Sequence, residues 1–167
     1  MYNTGDIYFE SGNITEFEKC YKNIIETLKK QRGEENFEHI VALKNLAFKY
    51  ETLKRYDNAI VLFLQIVDTY KKFHNEGILQ FIEAHSRLAD LYEMKGDFEN
   101  ALTYREKVIE MYNKNWGKKA VNSIDSISSK ADTLEKFEKY SDAVELRKEV
   151  AKIYNLKKKK SFAIKLF

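Results

Sequence analysis

From Phe37 to Tyr70 the chain repeats the apolar spacing of a helix twice. Phe37, Ile40, Leu43, Leu46, Ala47, Tyr50 and Leu53 follow one another mostly at steps of three and four and share one helical face. After a short break, Tyr56, Ala59, Ile60, Phe63, Ile66, Val67 and Tyr70 do the same. The pattern predicts two amphipathic helices, A and B, facing each other. It then recurs along the chain. Tyr56, Phe98 and Tyr140 are 42 residues apart, and so are Ala47, Ala89 and Ala131. Ala59, Ala101 and Ala143 keep the same step, as do Tyr70, Tyr112 and Tyr154. One further step toward the N-terminus puts Gly5 in the small position, Tyr8 beside Tyr50 and Tyr92, and Phe17 beside Ala59. Recurrence at this length marks stacked repeats, because a single amphipathic hairpin cannot bury its own stripe.

The breaks carry turn chemistry. Gly12 and Gly96 fall between helices A and B, and Gly33, Asn75 and Gly117 fall between successive hairpins. Glycine, and next to it asparagine, tolerates the left-handed conformation that ends a helix. Thr15 followed by Glu18 reads as a capping box opening the first helix B. Ala47 and Ala59 are expected where helix A crosses helix B, with Tyr50 and Tyr56 filling the space on either side.

The spacing of small residue, tyrosine and small residue resembles the tetratricopeptide repeat. The matching sets are Gly5/Tyr8/Phe17, Ala47/Tyr50/Ala59, Ala89/Tyr92/Ala101 and Ala131/Leu134/Ala143. The stretch "LKNLAFKYETLKRYDNAIVLF" is similar to the longer variant found in kinesin light chains. The resemblance implies an all-α, right-handed α-solenoid of about four stacked antiparallel helix pairs. The expected organisation is one domain over 1–167, with units near 1–34 (truncated), 35–76, 77–118 and 119–160. The tail 161–167 is expected to begin a fifth helix A or a cap, with Phe162 in the place of Ile78 and Leu166 in that of Ile82. Met1 is equivalent to Leu43, so both ends fall inside a repeat, as in a fragment of a longer array or a head-to-tail assembly. Departures are Phe17 where alanine is usual, Leu134 for tyrosine, Lys130 in the place of Leu46 and Leu88, and no repeat-ending proline. The fourth unit is expected to pack more loosely.

In this family helix A lines the concave side, where peptides usually bind. The period places Lys44, Asn45, Phe48, Arg87, Asp90, Ser128 and Asp132 toward such a groove. Asn45 matches an asparagine of the kinesin-light-chain type, able to hold a peptide backbone through both halves of its amide. Asp90 and Asp132 are expected to meet a basic residue of the peptide. A second surface comes from comparing repeats. Val61 and Leu64 stand where the other units have Lys19 and Lys22, Thr103 and Glu106, and Glu145 and Lys148. One turn apart, the two are expected to be exposed and to mark an apolar patch for a partner.

Composition narrows the classes. The absence of proline among 167 residues, with only 6 glycines, suits a nearly all-helical chain. A net charge of +3, owed to the run Lys157–Lys160, is too weak to point to nucleic acid. The longest apolar run, Ala59–Val67, is far short of the ~20 residues of a spanning helix. Cys20, the single cysteine, allows no internal disulfide and is expected to be buried and inert. His39, His74 and His85 are scattered, and His85 is expected to be a packing residue. Ser123, Ser126, Ser128 and Ser129 read as polar helix surface or a phosphorylation target, and Trp116 as packing between units. No phosphate loop, zinc spacing or calcium loop is present. The expectation is a cytoplasmic, non-catalytic interaction scaffold without cofactor or metal, binding a protein or peptide that carries a basic residue. The alternatives are a self-assembling head-to-tail piece, hence a homo-oligomer, and a regulatory domain of a larger enzyme or signalling protein.

Overall fold

The computed structural model describes residues 2–34, 36–72 and 79–164. Among them are eight helices and no strand: α1 (Tyr2–Glu10), α2 (Ile14–Arg32), α3 (Phe37–Thr52), α4 (Tyr56–Lys72), α5 (Leu79–Lys95), α6 (Phe98–Trp116), α7 (Val121–Lys136) and α8 (Tyr140–Ile164). The odd-numbered helices are A helices and the even-numbered ones B helices. The chain forms two compact units, Met1–Leu91 and Tyr92–Phe167. In the first, α1 packs on α2, α2 on α3 and α3 on α4; in the second, α6 packs on α7 and α7 on α8.

The same turn closes every A–B hairpin. Gly12, Lys54, Gly96 and Glu138, spaced by 42, all have positive φ, at 76°, 57°, 84° and 60°. The residue after each donates its N–H five residues back: Asn13 to Tyr8, Arg55 to Tyr50, Asp97 to Tyr92 and Lys139 to Leu134, all at 2.8–2.9 Å. Gly12, Lys54, Gly96 and Glu138 themselves donate three residues back, to Phe9, Glu51, Glu93 and Glu135. This double bond is the Schellman cap, which satisfies carbonyls that a helix end leaves open. Glycine was expected at two of these sites; the turn also forces lysine and glutamate into the left-handed region.

The turn also displaces the expected capping box. Asn13, already held by Tyr8, becomes the N-cap of α2, and its Oδ1 accepts the Glu16 N–H at 3.3 Å. The helix therefore begins at Ile14, Thr15 lies within its first turn, and Glu18 instead accepts from Arg55 at 2.7 Å.

Small residues set the approach of α3 to α4 and of α7 to α8. Ala47, Ala59 and Ala131 are fully buried and Ala143 is nearly so; Ala89 and Ala101 are fully buried as well, each in its own unit. The first hairpin trades sizes at these positions. Phe17, large where the others have alanine, is fully buried, and its A-helix counterpart is Gly5. A Cβ on Gly5 would stand 2.8 Å from the Tyr21 ring. Phe17 meets the rings of Phe9 and Tyr21 edge-on at 5.2 Å and that of Tyr50 at 6.4 Å. In the fourth hairpin Leu134 is buried with Ala131 and Ala143, flanked by Leu102 and Leu146, and Lys130 reaches Glu106.

Several expectations for single residues change. The helix of Tyr140 continues through 161–164, so these residues extend helix B and do not open a fifth helix. Leu166, His74 and Asn75 lie outside the described residues. Cys20 is half-buried. Trp116 is exposed at the end of α6, with its ring 5.6 Å from Tyr112 one turn earlier. Ser123 and Ser126 are buried, not surface, and their hydroxyls donate to the carbonyls of Gly117 and Asn122. A short hydroxyl that finds a carbonyl on its own or the preceding turn can be buried without an orphaned donor. His85 is buried as expected, its Nδ1 2.9 Å from the Phe81 carbonyl and its ring edge-on to Phe81. Among the described residues no helix is long and apolar enough to cross a membrane.

A non-glycine residue in the left-handed region costs about 1–2 kcal/mol, and glycine gives back about 0.4–1 kcal/mol through unfolded-chain entropy. Glu138→Gly is therefore expected to raise the unfolding free energy in urea by about 0.5–1 kcal/mol; an unchanged or lower value would show that the turn is unstrained.

Candidate functional site

In the first unit, α3 and α5 bring five of the seven groove candidates together. The Arg87 guanidinium lies over the Phe48 ring, 5.0 Å from its centroid. It donates to Glu51 at 3.1 Å and stands 3.5 Å from Asp90. Phe48 packs edge-on against Phe63 at 5.9 Å yet keeps 37% of its surface exposed. One turn earlier Lys44 is 3.5 Å from Glu83, and Asn45 beside it is half-buried. A ring face bordered by carboxylates is a favourable seat for a guanidinium, combining cation–π attraction with charge-assisted hydrogen bonds. Here the chain's own arginine takes it.

The other two candidates belong to the second unit. The Ser128 hydroxyl donates to the Ile124 carbonyl at 3.1 Å, and Asp132 pairs with Arg147 at 2.6 Å. Arg147 also donates to Glu135 at 2.8 Å, and the two carboxylates push its pKa up. Asp132 thus already has a cation from the neighbouring helix B.

The repeats expose a rule behind these contacts. In the first hairpin Tyr21 donates to Asp6 at 3.0 Å, in the second Phe48 meets Phe63, and in the fourth Arg147 donates to Asp132. The positions correspond at multiples of 42. The A-helix and B-helix residues change together, acid with hydroxyl or guanidinium, ring with ring. Asp132, read as a groove ligand, is therefore also a tie between paired helices.

The period also carried a signal that motif reading passed over. Glu51, Glu93 and Glu135 recur at 42 in the last turn of successive A helices. Each takes a cation: Glu51 from Arg87, Glu135 from Arg147, and Glu93 from Lys136 and Arg105. Glu93 is the most enclosed, with 13% of its side chain exposed against 14% for Arg105. The Thr133 hydroxyl accepts from Arg105 Nε at 3.2 Å and donates to Glu93 at 2.6 Å. Burial raises the Glu93 pKa, but Lys136, Thr133 and Arg105 outweigh it and hold the carboxyl below its ordinary value. In the first unit, Lys29 and Lys72 grip Glu34 at 2.6 and 3.0 Å and depress its pKa to about 2.

The two residues of the expected apolar patch differ in exposure. Val61 is 53% exposed, whereas Leu64, one turn on, is half-buried. Val61 lines a groove between α2 and α4; Leu64 does not. Among the described residues, no group of three His, Cys, Asp or Glu side chains is placed to hold a metal ion.

A repeated pair of amphipathic helices, joined by one turn and crossed at small residues, defines a class that comparison makes concrete. Residues 82–115 match the family model of the tetratricopeptide repeat. Two crystal structures of nearly identical TPR-like repeats, from a Podosopora anserina protein described as a kinesin light chain, share the fold with TM-scores of 0.73. They are 19% and 18% identical, over 90% and 93% of this chain and 71% and 73% of theirs. The crystal structure of BtubC (BKLC) from P. vanneervenii matches with a TM-score of 0.69 and 12% identity, over 93% of this chain and 62% of that one. No curated protein sequence matches the chain. The fold is that of tetratricopeptide-like helical repeats, and the solved structures it resembles include repeats of the kinesin-light-chain type.

The Glu93 cluster makes a pH prediction. A carboxylate with a depressed folded pKa stabilises above its unfolded value, near 4.5, and loses that contribution as pH falls through the lower folded value. Glu93→Gln is expected to cost about 1–2 kcal/mol at pH 7, since the site is only partly buried. In urea melts from pH 7 downward the gap to wild type should close toward acid; a constant gap would assign the loss to packing.

Proposed function

We propose that the chain is a non-catalytic, cytoplasmic protein-interaction scaffold that holds a peptide segment of its partner against the A helices. The observation that carries this reading is the Phe48–Arg87–Asp90 group. It combines an exposed ring, a cation and carboxylates on α3 and α5, with the Asn45 amide one turn away. Buried contacts alone do not need an aromatic ring left 37% open. The seat that holds Arg87 has the chemistry to hold an arginine or lysine of a peptide, sharing Asp90 and the Phe48 face. Asn45 can donate to and accept from the peptide backbone beside it. The reading is built on the first unit; Ser128 and Asp132 extend it only as separate contacts in the second.

Titration of the full chain with labelled basic and acidic peptide pools tests this. Basic peptides are expected to bind more tightly, and Phe48→Ala or Asp90→Lys to weaken them by about tenfold, or ~1.4 kcal/mol. Tighter binding of the acidic pool would reverse the assignment.

Self-association is a second reading, favoured by a specific contrast. Val144 and Tyr154 on α8 are 51% and 50% exposed, yet their counterparts Ile60 and Tyr70 on α4 are 5% and 7% exposed. On α1, Ile7 is 62% exposed where Leu91 and Thr133 are buried. These two faces correspond to the sides by which a B helix meets the next A helix, so α8 of one copy would seat α1 of another, a head-to-tail contact. Sedimentation velocity should then show assembly that grows with concentration and is abolished by Val144→Lys; a monomer throughout would end this reading.

A further inference from the structure

Val61 opens onto a groove separate from the peptide face. It lies between α2 and α4 with α3 as its floor, and holds about 560 Å³. Leu43, Leu46 and Tyr50 form the floor, and Ile25, Val61 and Leu62 the walls. The second unit gives an internal comparison. At a step of 84, Leu46 corresponds to Lys130, Val61 to Glu145 and Lys22 to Glu106. There the Lys130 side chain is only 25% exposed and its ammonium pairs with Glu106. Where the second unit has an ion pair and an acid, the first has a leucine floor and a valine open to water.

The rim and the walls choose the occupant. Glu26 and Asp57 line opposite sides of the groove. The one lysine among the lining residues, Lys22, stands 3.8 Å from Glu18. With two carboxylates against one ammonium, the charge of the lining is negative overall and favours a cation. The walls are helices, whose backbone groups are spent within them. An extended chain laid on the leucine floor would bring N–H and C=O groups that nothing there can match, whereas a helix satisfies its own. Lys130 shows, in the corresponding place, how an aliphatic stem and an ammonium lie between such helices.

We propose that this groove binds an amphipathic helix of a partner protein, with leucine-like anchors against Ile25, Val61 and Leu62, above the buried Leu43, Leu46 and Tyr50, and basic residues toward Glu26 and Asp57. Apolar anchors at helical spacing supply the contact area, and the acidic rim sets orientation.

The probe is a fluorescein-labelled synthetic helix of about 18 residues, leucine at i, i+3, i+4 and i+7 positions and lysine beside them, read by anisotropy against the full chain. The matched peptide carries glutamate for lysine. The lysine peptide is expected to bind at least about tenfold more tightly than the glutamate peptide. Val61→Glu should weaken it about tenfold and Val61→Ala about threefold, with helical circular dichroism and melting temperature retained because Val61 is exposed. Glu26→Lys with Asp57→Lys should invert the preference. Phe48→Ala should leave this binding unchanged, which separates the groove from the peptide face. Absence of binding, equal binding of the two peptides, or an affinity unmoved by Val61→Glu would overturn the proposal. So would a dimer of the free chain that Val61→Glu dissolves, which would give the groove to a second copy.

Discussion

How closely helix A approaches helix B decides the rest of this structure. In the second and fourth hairpins the approach is set by buried side chains no larger than a methyl group, at Ala47 and Ala59 and at Ala131 and Ala143. A close-packed interior responds to volume changes of even one methylene, so a larger group on one helix has to be matched by a smaller one on the other. The first hairpin makes that exchange within itself. Phe17 fills the position of Ala59, Gly5 empties that of Ala47, and the Tyr21 ring lies where a Cβ on Gly5 would stand.

The second constraint is the turn. A Schellman cap with its left-handed residue ends all four described A helices at the same point of the repeat. Two of the four turns use glycine; the other two strain Lys54 and Glu138 into the same geometry. Hydrogen bonding of the helix end therefore outranks local preference at these sites. The same turn supplies Asn13 and Asp97 as N-caps. One short segment thus closes one helix and opens the next.

Charge is layered on this frame. In the first unit Asp6 pairs with Lys49, Glu18 with Arg55, Glu34 with Lys72 and Glu51 with Arg87, all between residues 36–43 apart. Exposed pairs of this kind contribute little stability each, about 0–1 kcal/mol, but opposite charges at fixed offsets disfavour a slipped register. The exposed part of Phe48, the Arg87 guanidinium above it and the open groove beside Val61 stand out against this surface. At Phe48 and Val61 the second hairpin departs from its siblings: Phe48 replaces an aspartate, and Val61 stands where the others have Lys19, Thr103 and Glu145.

The recurrence at 42, the helical stripes and the small residues at the crossings were all legible in the sequence. Each is a local or periodic property: side chains three and four apart share a face whatever lies around them. Asn45, Phe48 and Arg87 could likewise be placed on the A helices by arithmetic. What their charges do could not. That Asp132 is tied to Arg147, that Arg87 sits on Phe48, and that Leu64 turns inward beside an exposed Val61 depend on distances across helices. The start of α2 at Asn13, the burial of Ser123 and Ser126 and the unbroken run of α8 were decided there too. At α2 the cap of the preceding helix outweighed the local signal, and Ser123 and Ser126 are buried because the Gly117 and Asn122 carbonyls take their hydroxyls. A periodic sequence determines which faces are apolar, and only the folded neighbours determine which polar groups on those faces are already satisfied.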